Sequence, residues 1–475
     1  MTRRAQPSPV DAVRDAVAEA LRRCRDGVTP GAALAPRVAV ALSGGGDSML
    51  LLDVLAELAA DIGVVASAVH VHHGLSPHAD AWAAFCATAC AARSLPLVQA
   101  RVAIAREPGR SLEAAARAAR YAAFATLGVD AVALAHHADD QAETLLLQLL
   151  RGAGPAGLAA MPAQRAPRHG PLLLRPLLAL PRATLLAAAR ARRLDWIDDE
   201  SNADVRIRRN YLRTEITPRL ARAFPGYPQT LLRAAAHQAD AARLADELAA
   251  IDAQGALGFD PVDGPTLECA RLVALAAGGE HRARNLLRWF LRRHDLAAPS
   301  ADRLDAMLRQ LVGAAADARV RLVHEGLEVG IHHRRIVVHA PAARWTERRW
   351  NGESEVVLPH GRLVFASARG RGLAGDGLAT GSLLVRPRQG GERLRPGRGR
   401  PRQLLTHLFQ QQGVPTWQRD GWPLLYCGDT LVAVPGVGVD PGFAAGGEDP
   451  GVELVWLPQP RQSLMPVNPE GGIAG

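Results

Sequence analysis

The chain contains no lysine; all 56 of its basic residues are arginine. A base composition favouring arginine and alanine codons accounts for the bias, but the absence still excludes chemistry. A Walker A phosphate loop, a ligase that adenylates its own lysine and a pyridoxal-phosphate Schiff base each need an ε-amine from the protein. If lysine takes part in a reaction here, it enters as a substrate. Cysteine is also scarce. Cys24, Cys86, Cys90, Cys269 and Cys427 are odd in number, scattered and without a C-x-x-C pair, as in a reduced, cytoplasmic protein. No apolar run approaches about 18 residues without a charge, so no membrane span is expected. The start, with Arg3 and Arg4 ahead of Asp11, Arg14 and Asp15, lacks the apolar stretch of a secretory signal.

What is present is length and positive charge. At 475 residues the chain is too long for one ordinary domain, so two or three are expected. A net charge of +9 and a pI near 10.2 suggest a polyanionic partner. Nothing in the sequence fixes an oligomeric state.

The apolar run Arg37–Leu42 ends in Ser-Gly-Gly-Gly-Asp-Ser at Ser43–Ser48, and a helical pattern follows. The alternation then repeats: strands at Val64–Val71, Leu97–Ala103 and Val132–His136, helices at Ala79–Ser94, Ser111–Leu127 and Ala138–Arg151. Strands alternating with helices predict an α/β fold, a parallel sheet with helices on both faces. Pro162–Pro171 reads as a loop, and Pro181 opens another helix at its first position. The expected domains are 1–228, this α/β unit; 229–341, alanine- and arginine-rich and helical, ending in strand-like pieces such as Arg335–His339; and 342–458, a small mixed α+β domain with its linker. The tail 459–475, rich in Pro and Gly, is expected to be disordered.

A glycine-rich turn between a buried strand and a helix suits phosphate. Gly44, Gly45 and Gly46 let backbone N–H groups close on phosphate oxygens, and the helix start adds partial positive charge. Ser43 and Ser48 supply hydroxyl donors. Asp47 would repel phosphate on its own, so its presence implies a Mg²⁺ between carboxylate and pyrophosphate. In His136–Gly152, Asp139 and Asp140 precede Glu143 by four and three residues at a helix start. First-turn capping is the plain alternative for these acids, and a His/Asp metal site is another. Glu113, Arg117 and Arg120 share a helix face, which reads either as an anion site or as a solvated salt-bridged face.

These residues carry a family resemblance. SGGGDS matches the S-G-G-x-D-S loop of the N-type ATP pyrophosphatases (PP-loop enzymes, Rossmann-like in fold), which cleave ATP between the α- and β-phosphates. HHADDQAETLLLQLLRG (His136–Gly152) resembles the H-H-x-D-D-Q-x-E-T-x-L-x-x-L-x-R-G string of the tRNA(Ile)-lysidine synthases almost position for position. EAAARAARY (Glu113–Tyr121) is similar to that family's E-x-x-A-R-x-x-R-Y. In Asp198–Arg213, Asp199, Ser201, Asn202, Arg209, Asn210 and Arg213 fall on its E-D-x-S-N…R-N-x-x-R positions. HVHHGL (His70–Leu75) resembles a further string, with His72 where the family usually has Asn. Val385–Asp440 resembles its C-terminal domain, with Arg or Gln at positions where lysines are usual.

The resemblance implies ATP-dependent ligation of free L-lysine to C2 of the wobble cytidine in the CAU anticodon of tRNA(Ile), through an adenylated cytidine. It implies that Asp140 and Glu143 serve the lysine amine, that Arg117 meets an anion, phosphate or the lysine carboxylate, and that Arg209 or Arg213 stabilises charge on the α-phosphate. Seven arginines between Arg386 and Arg402 read as an RNA footprint, or alternatively as a solvated loop. A sulfur-inserting tRNA enzyme would need paired cysteines, and a non-catalytic RNA-binding protein would not need Asp47, Asp140 and Glu143.

Overall fold

The computed structural model describes residues 7–27, 35–104, 112–167, 170–200, 204–314, 320–374 and 383–460. The chain divides into two compact units, Met1–Leu244 and Ala245–Gly475. Ser111, Ser201, Asn202 and residues 461–475 of the expected tail lie outside the described residues.

The first unit opens with a helix that the sequence reading did not mark, α1 (Pro9–Gly27), and then follows the predicted alternation: β1 (Arg37–Ala41), α2 (Gly46–Ile62), β2 (Val65–His72), α3 (Ala79–Ala91), β3 (Leu97–Arg101), α4 (Leu112–Ala125), β4 (Ala131–Ala133) and α5 (Ala138–Leu150). There follow α6 (Pro155–Leu158), β5 (Gln164–Arg165), β6 (Leu172–Leu174) and α7 (Arg182–Ala191). Among the described residues the strand order is β3-β2-β1-β4-β6-β5. All pairings are parallel except that of β5, which runs antiparallel to β6 at the edge. The expected loop at Pro162–Pro171 therefore holds a short edge strand. The fourth strand is shorter than predicted: it stops at Ala133, and one further bond, from the Leu134 N–H to the Leu174 carbonyl (2.9 Å), holds the chain to β6. Pro181 caps α7 from outside, its ψ of 144° being extended, so the helix starts at Arg182.

Burial on both faces explains the sheet's apolar strands. Val38 and Val40 of β1 and Ala131 and Ala133 of β4 enter a core with residues of α1, α2, α3 and α7. Between them, Ala39 and Val132 point the other way, to Phe124 of α4. The apolar run of α2 supplies the thick side of that core: Leu50, Leu51, Leu52 and Leu55 are wholly buried. The strand order reverses between β1 and β4. Loops leaving the C-terminal ends of these two strands therefore diverge and leave a crevice between them.

Beyond α7 come α8 (Arg208–Tyr211), a π turn (Leu212–Ile216), α9 (Thr217–Ala223) and α10 (Tyr227–Ala253); the boundary between the units falls within α10. The second unit begins as helices α11 (Cys269–Ala277), α12 (Glu280–Arg293) and α13 (Ala301–Val312), which share a core with an antiparallel sheet. That sheet, in the order β7-β8-β11-β10-β9, is built from β7 (Leu257–Asp260), β8 (Gly264–Glu268), β9 (Arg321–His324), β10 (Leu327–His332) and β11 (Arg335–His339). The strand-like piece at Arg335–His339 is thus one member of a full sheet joined to the expected helices. Antiparallel strands between Arg348 and Pro458, with Gly361–Arg369 paired to Pro450–Pro458, form the remainder together with two short helices, Leu405–Gln411 and Thr416–Arg419.

At the turn after β1, Gly44 has φ of +89°, and a Cβ there would stand 2.8 Å from Ile197 Cδ1. Gly45 has φ of −72° and space around it. Gly44→Ala should therefore cost about 2 kcal/mol or more of stability, from strain plus overpacking. Gly45→Ala should cost less than about 1 kcal/mol, as a weakened helix cap. Urea denaturation midpoints check the contrast; equal losses would mean that the φ requirement does not govern this turn.

Candidate active site

The crevice is walled on one side by the glycine loop. Leu42 N–H donates to the Val69 carbonyl (2.8 Å), which carries the loop off the sheet. Ser48 Oγ donates to the Gly45 carbonyl (2.9 Å) and lies 3.0 Å from Ser43 Oγ. The backbone N–H of Ser43 also donates to Ser48 Oγ (3.3 Å). Ser43 and Ser48 thus brace the loop from within. From outside, Ile197 N–H donates to the Gly44 carbonyl (2.9 Å), and the Trp196 indole lies 3.4 Å from where a Gly46 Cβ would stand. The loop is clamped from behind while the N–H groups of the first turn of α2 have no partner within the helix. That is the geometry of an anion seat.

Asp47 sits in this first turn. Burial pushes its carboxyl above the usual carboxylate range, Asp140 adds to that, and His137 and Arg182 oppose it. His137, 2% exposed, links the loop to the opposite wall. It caps α5: Asp140 N–H donates to His137 Nδ1 (3.3 Å), and His137 N–H donates to Asp140 Oδ2 (3.0 Å). Its Nε2 lies 3.6 Å from Asp47 Oδ2 and 3.5 Å from Asp140 Oδ2.

The three acids of α5 have different surroundings. Asp139 Oδ2 accepts the Arg182 N–H (2.8 Å), which caps α7. Asp140 gives one oxygen to the cap of α5 and turns the other to two arginines. Glu143, 2% exposed, takes no part in capping. Arg209 Nε donates to Glu143 Oε2 (2.8 Å), Arg213 Nε to Oε1 (2.7 Å) and Arg213 Nη2 to Oε2 (2.9 Å). Both Nη2 groups also reach Asp140 Oδ1, at 3.3 Å from Arg209 and 3.2 Å from Arg213. Burial works against the Asp140 carboxylate, but His137 and Arg209 outweigh it and hold its pKa below the usual range. Capping therefore accounts for Asp139 and half of Asp140, and for none of Glu143. The structure joins Asp140, Glu143, Arg209 and Arg213 in one cluster, although the sequence suggested separate tasks for the acids and the bases.

The remaining expected residues lie nearby with varied roles. Arg117 is exposed, its guanidinium 5.5 Å from the Tyr121 ring centre, in a cavity of about 360 Å³ lined also by Arg165. Arg120 approaches His73 Nε2 (3.4 Å). His70 Nδ1 pairs with the Leu42 carbonyl (2.9 Å), so it supports the start of the glycine loop. His72 and Arg101 share Asp80 (3.2 and 2.8 Å). His136, at the end of β4, is pushed down to about 3 by burial, with Arg175, Arg209 and Arg117 adding to that against Asp140; it is neutral.

Sequence reasoning missed several supports. Gln141 gives its amide N–H to the Met161 carbonyl (2.7 Å) and accepts the Met161 N–H (2.8 Å), which ties α5 to the chain beyond α6. Arg175, 3% exposed, donates to the Pro162 carbonyl (2.7 Å). A lone arginine inside Leu172–Leu178 was its one visible signal. Nothing in the sequence marked Trp196 or Ile197.

In the second unit the arginine-rich stretch divides in two. Arg386 pairs with Glu347 (2.8 Å) over the Tyr426 ring, and Arg388 pairs with Glu392 (3.3 Å) and Thr406 (2.7 Å). Arg393, Arg395, Arg398 and Arg400 are exposed and make no ion pair among the described residues. Arg402 reaches Asp440 only at 3.9 Å.

The chain also matches known protein families along its length. Residues 19–220 match the PP-loop domain, 271–337 the TilS substrate binding domain and 383–456 the TilS substrate C-terminal domain. The tRNA(Ile)-lysidine synthase of Nitrosomonas europaea is 40% identical over 430 residues, which cover 89% of this chain and 92% of that one. That of Chromobacterium violaceum is 43% identical over 419 residues, covering 86% and 93%. With identity of this order along nearly the whole of both chains, this protein belongs to the tRNA(Ile)-lysidine synthase family.

Proposed function

We propose that this chain ligates free L-lysine to C2 of the wobble cytidine of a tRNA(Ile) with a CAU anticodon, using ATP and releasing AMP and diphosphate. The observation that carries this reading is the crevice between β1 and β4. One wall is an anion seat, the other a carboxylate pair, and His137 lies within 3.6 Å of both.

The glycine loop and Ser43 and Ser48 seat the β- and γ-phosphates of ATP. The site fits Mg²⁺ of the kind shared with phosphate. Asp47 is a partly buried carboxylate in the first turn of α2, an oxygen donor of the kind that Mg²⁺ takes. Among the described residues no group of three or more His, Cys, Asp or Glu forms a metal cage, and Mg²⁺ on nucleotides needs only one or two carboxylates. When bound, Mg²⁺ neutralises the pyrophosphate charge. In the first step the cytidine O2 attacks the α-phosphorus, and an arginine of the Arg209–Arg213 pair meets the charge growing on its oxygens. In the second, the lysine ε-amine attacks C2 and AMP leaves. A free ammonium has pKa near 10.4 and is no nucleophile. Asp140 and Glu143 hold it and draw off the proton. Arg117 meets the other anion of the site, the lysine carboxylate or a phosphate.

The sulfur-inserting alternative loses support. Cys86 and Cys90 are both buried, and burial pushes the Cys86 thiol up to about 12. A thiol so placed supplies no thiolate at neutral pH. Incubation with ATP, labelled lysine and total tRNA tests the reading; absence of label in the tRNA sinks it.

Asp47→Asn should abolish AMP transfer to tRNA and leave tRNA affinity within about twofold, because Asp47 is assigned to Mg²⁺ and pyrophosphate alone. Turnover at the wild-type rate in saturating Mg²⁺ would remove that assignment. The exposed arginines give a second test. Neutralising Arg395, Arg398 and Arg400 together should weaken tRNA binding and flatten its salt dependence, by about 0.7–0.9 in log–log slope for each phosphate no longer neutralised. Filter binding across a salt series reads this; an unchanged slope returns the stretch to a solvated loop.

A further inference from the structure

The four-residue cluster poses a conflict of charge. Asp140 and Glu143 carry two negative charges and Arg209 and Arg213 two positive, so the cluster is neutral and its main acceptor sites are taken. Both Glu143 oxygens accept arginine N–H groups, one Asp140 oxygen faces both arginines, and the other is held by the His137 N–H. A lysine ammonium entering this arrangement would meet occupied carboxylates and leave the group one charge in excess. The α-phosphate, in turn, would meet arginines already spent on carboxylates. The two halves of the reaction need the same four side chains in a different pairing.

The two arginines are not equally held. Besides Glu143 and Asp140 Oδ1, Arg209 donates to neutral acceptors, the Asp140 carbonyl (3.2 Å) and Thr144 Oγ1 (3.4 Å). It keeps these anchors if the carboxylates turn to another cation. The side-chain hydrogen bonds of Arg213 among the described residues go to the two carboxylates only, and its side chain is the more exposed, 29% against 20%. It stands on the π turn, a rare form of helix that is frequent at functional sites. Asp47 is among the acids that act on its charge, so it lies within electrostatic reach of the glycine loop.

We infer that Arg213 is the resting occupant of the amine site, and that nucleotide binding draws it onto the phosphates and opens Asp140 and Glu143 to the substrate ammonium. Arg213 is thus a positioning residue with two stations, and Arg209 the fixed member of the pair. With Arg213 on the phosphate, one negative charge is left uncompensated in the acid pair, which is what a single ammonium neutralises. Before ATP arrives, the guanidinium excludes free lysine and other small amines. Because coupling between two ligands is reciprocal, lysine must tighten nucleotide binding by the same factor. This inference rests on the reading that Asp140 and Glu143 receive the lysine amine.

Isothermal titration of L-lysine into the full chain, with and without saturating Mg²⁺ and α,β-methylene-ATP, tests it without turnover. For wild type the analogue should lower the lysine Kd by roughly 5- to 150-fold, the usual span of coupling between sites. Arg213→Ala should bind lysine without nucleotide about as tightly as the wild type does with it, and the coupling ratio should fall to about one. Arg213→Gln, which keeps a hydrogen-bonding side chain of similar length, should behave alike; thermal melts of both variants identify one that does not fold, and the other then gives the reading. A lysine Kd in wild type that ignores the analogue overturns the inference, as does weaker lysine binding by both Arg213 variants in the absence of nucleotide. Glu143→Gln separates this from failure of the underlying reading. If it leaves the lysine Kd unchanged, the amine binds elsewhere, and the assignment of the acids falls together with the role of Arg213.

Discussion

Two carboxylates buried at the start of α5 are the constraint on which the site depends. An unpaired buried carboxylate is too costly to persist, so Glu143, 2% exposed, must have cations. The chain meets the demand from far away in sequence: Arg209 and Arg213 return 66 to 73 residues later, on α8 and the π turn, to close over α5. The path they travel begins at Trp196 and Ile197, which clamp the glycine loop. One stretch of chain therefore fixes the back of the anion seat and supplies the counter-charges of the acid pair. A change in either place has a covalent route to the other, in addition to the route through His137.

Local signals in the sequence were strong where local structure decides the outcome. The glycine loop after β1 was legible because a strand, a glycine turn and a helix start need nothing beyond their own residues. The order of elements from β1 through α5 was legible because burial on both faces imposes continuous apolar strands between helices. The missed features are non-local. Gln141 sits in the same string as the acids, yet its amide holds the backbone of Met161, a partner no spacing rule points to. The pairing of acids with arginines was invisible because each group alone reads as a ligand for substrate. The edge strand at Gln164–Arg165 is two residues long, too short to show a period. In the second unit, the strands of β7 to β10 alternate weakly, and the alanine-rich helices around them dominate the pattern.

The exclusive use of arginine shapes what these charges can do. A guanidinium presents several N–H groups in a flat fork, so Arg213 spans both Glu143 oxygens and still reaches Asp140. The same geometry turns Arg388 inward to Glu392 and Thr406 and lays Arg386 over Tyr426. A run of seven arginines that looks uniform in sequence is thus two populations. Arg386 and Arg388 hold the fold, while Arg393, Arg395, Arg398, Arg400 and Arg402 face solvent. The density of positive charge overstates the electrostatic footprint available to a polyanion.

Chemistry gives a reason for an arginine, and not a lysine, at the acid pair. On the proposed function the site brings an ε-amine to an activated carbon, so any lysine placed there by the protein would be a competing nucleophile on the wrong molecule. A guanidinium stays protonated, with pKa above about 12. It can occupy the carboxylates without ever offering a lone pair. Arg213 therefore satisfies two requirements that pull apart for any other side chain: it compensates a buried charge as a cation, and it is inert in the one place where an amine would react.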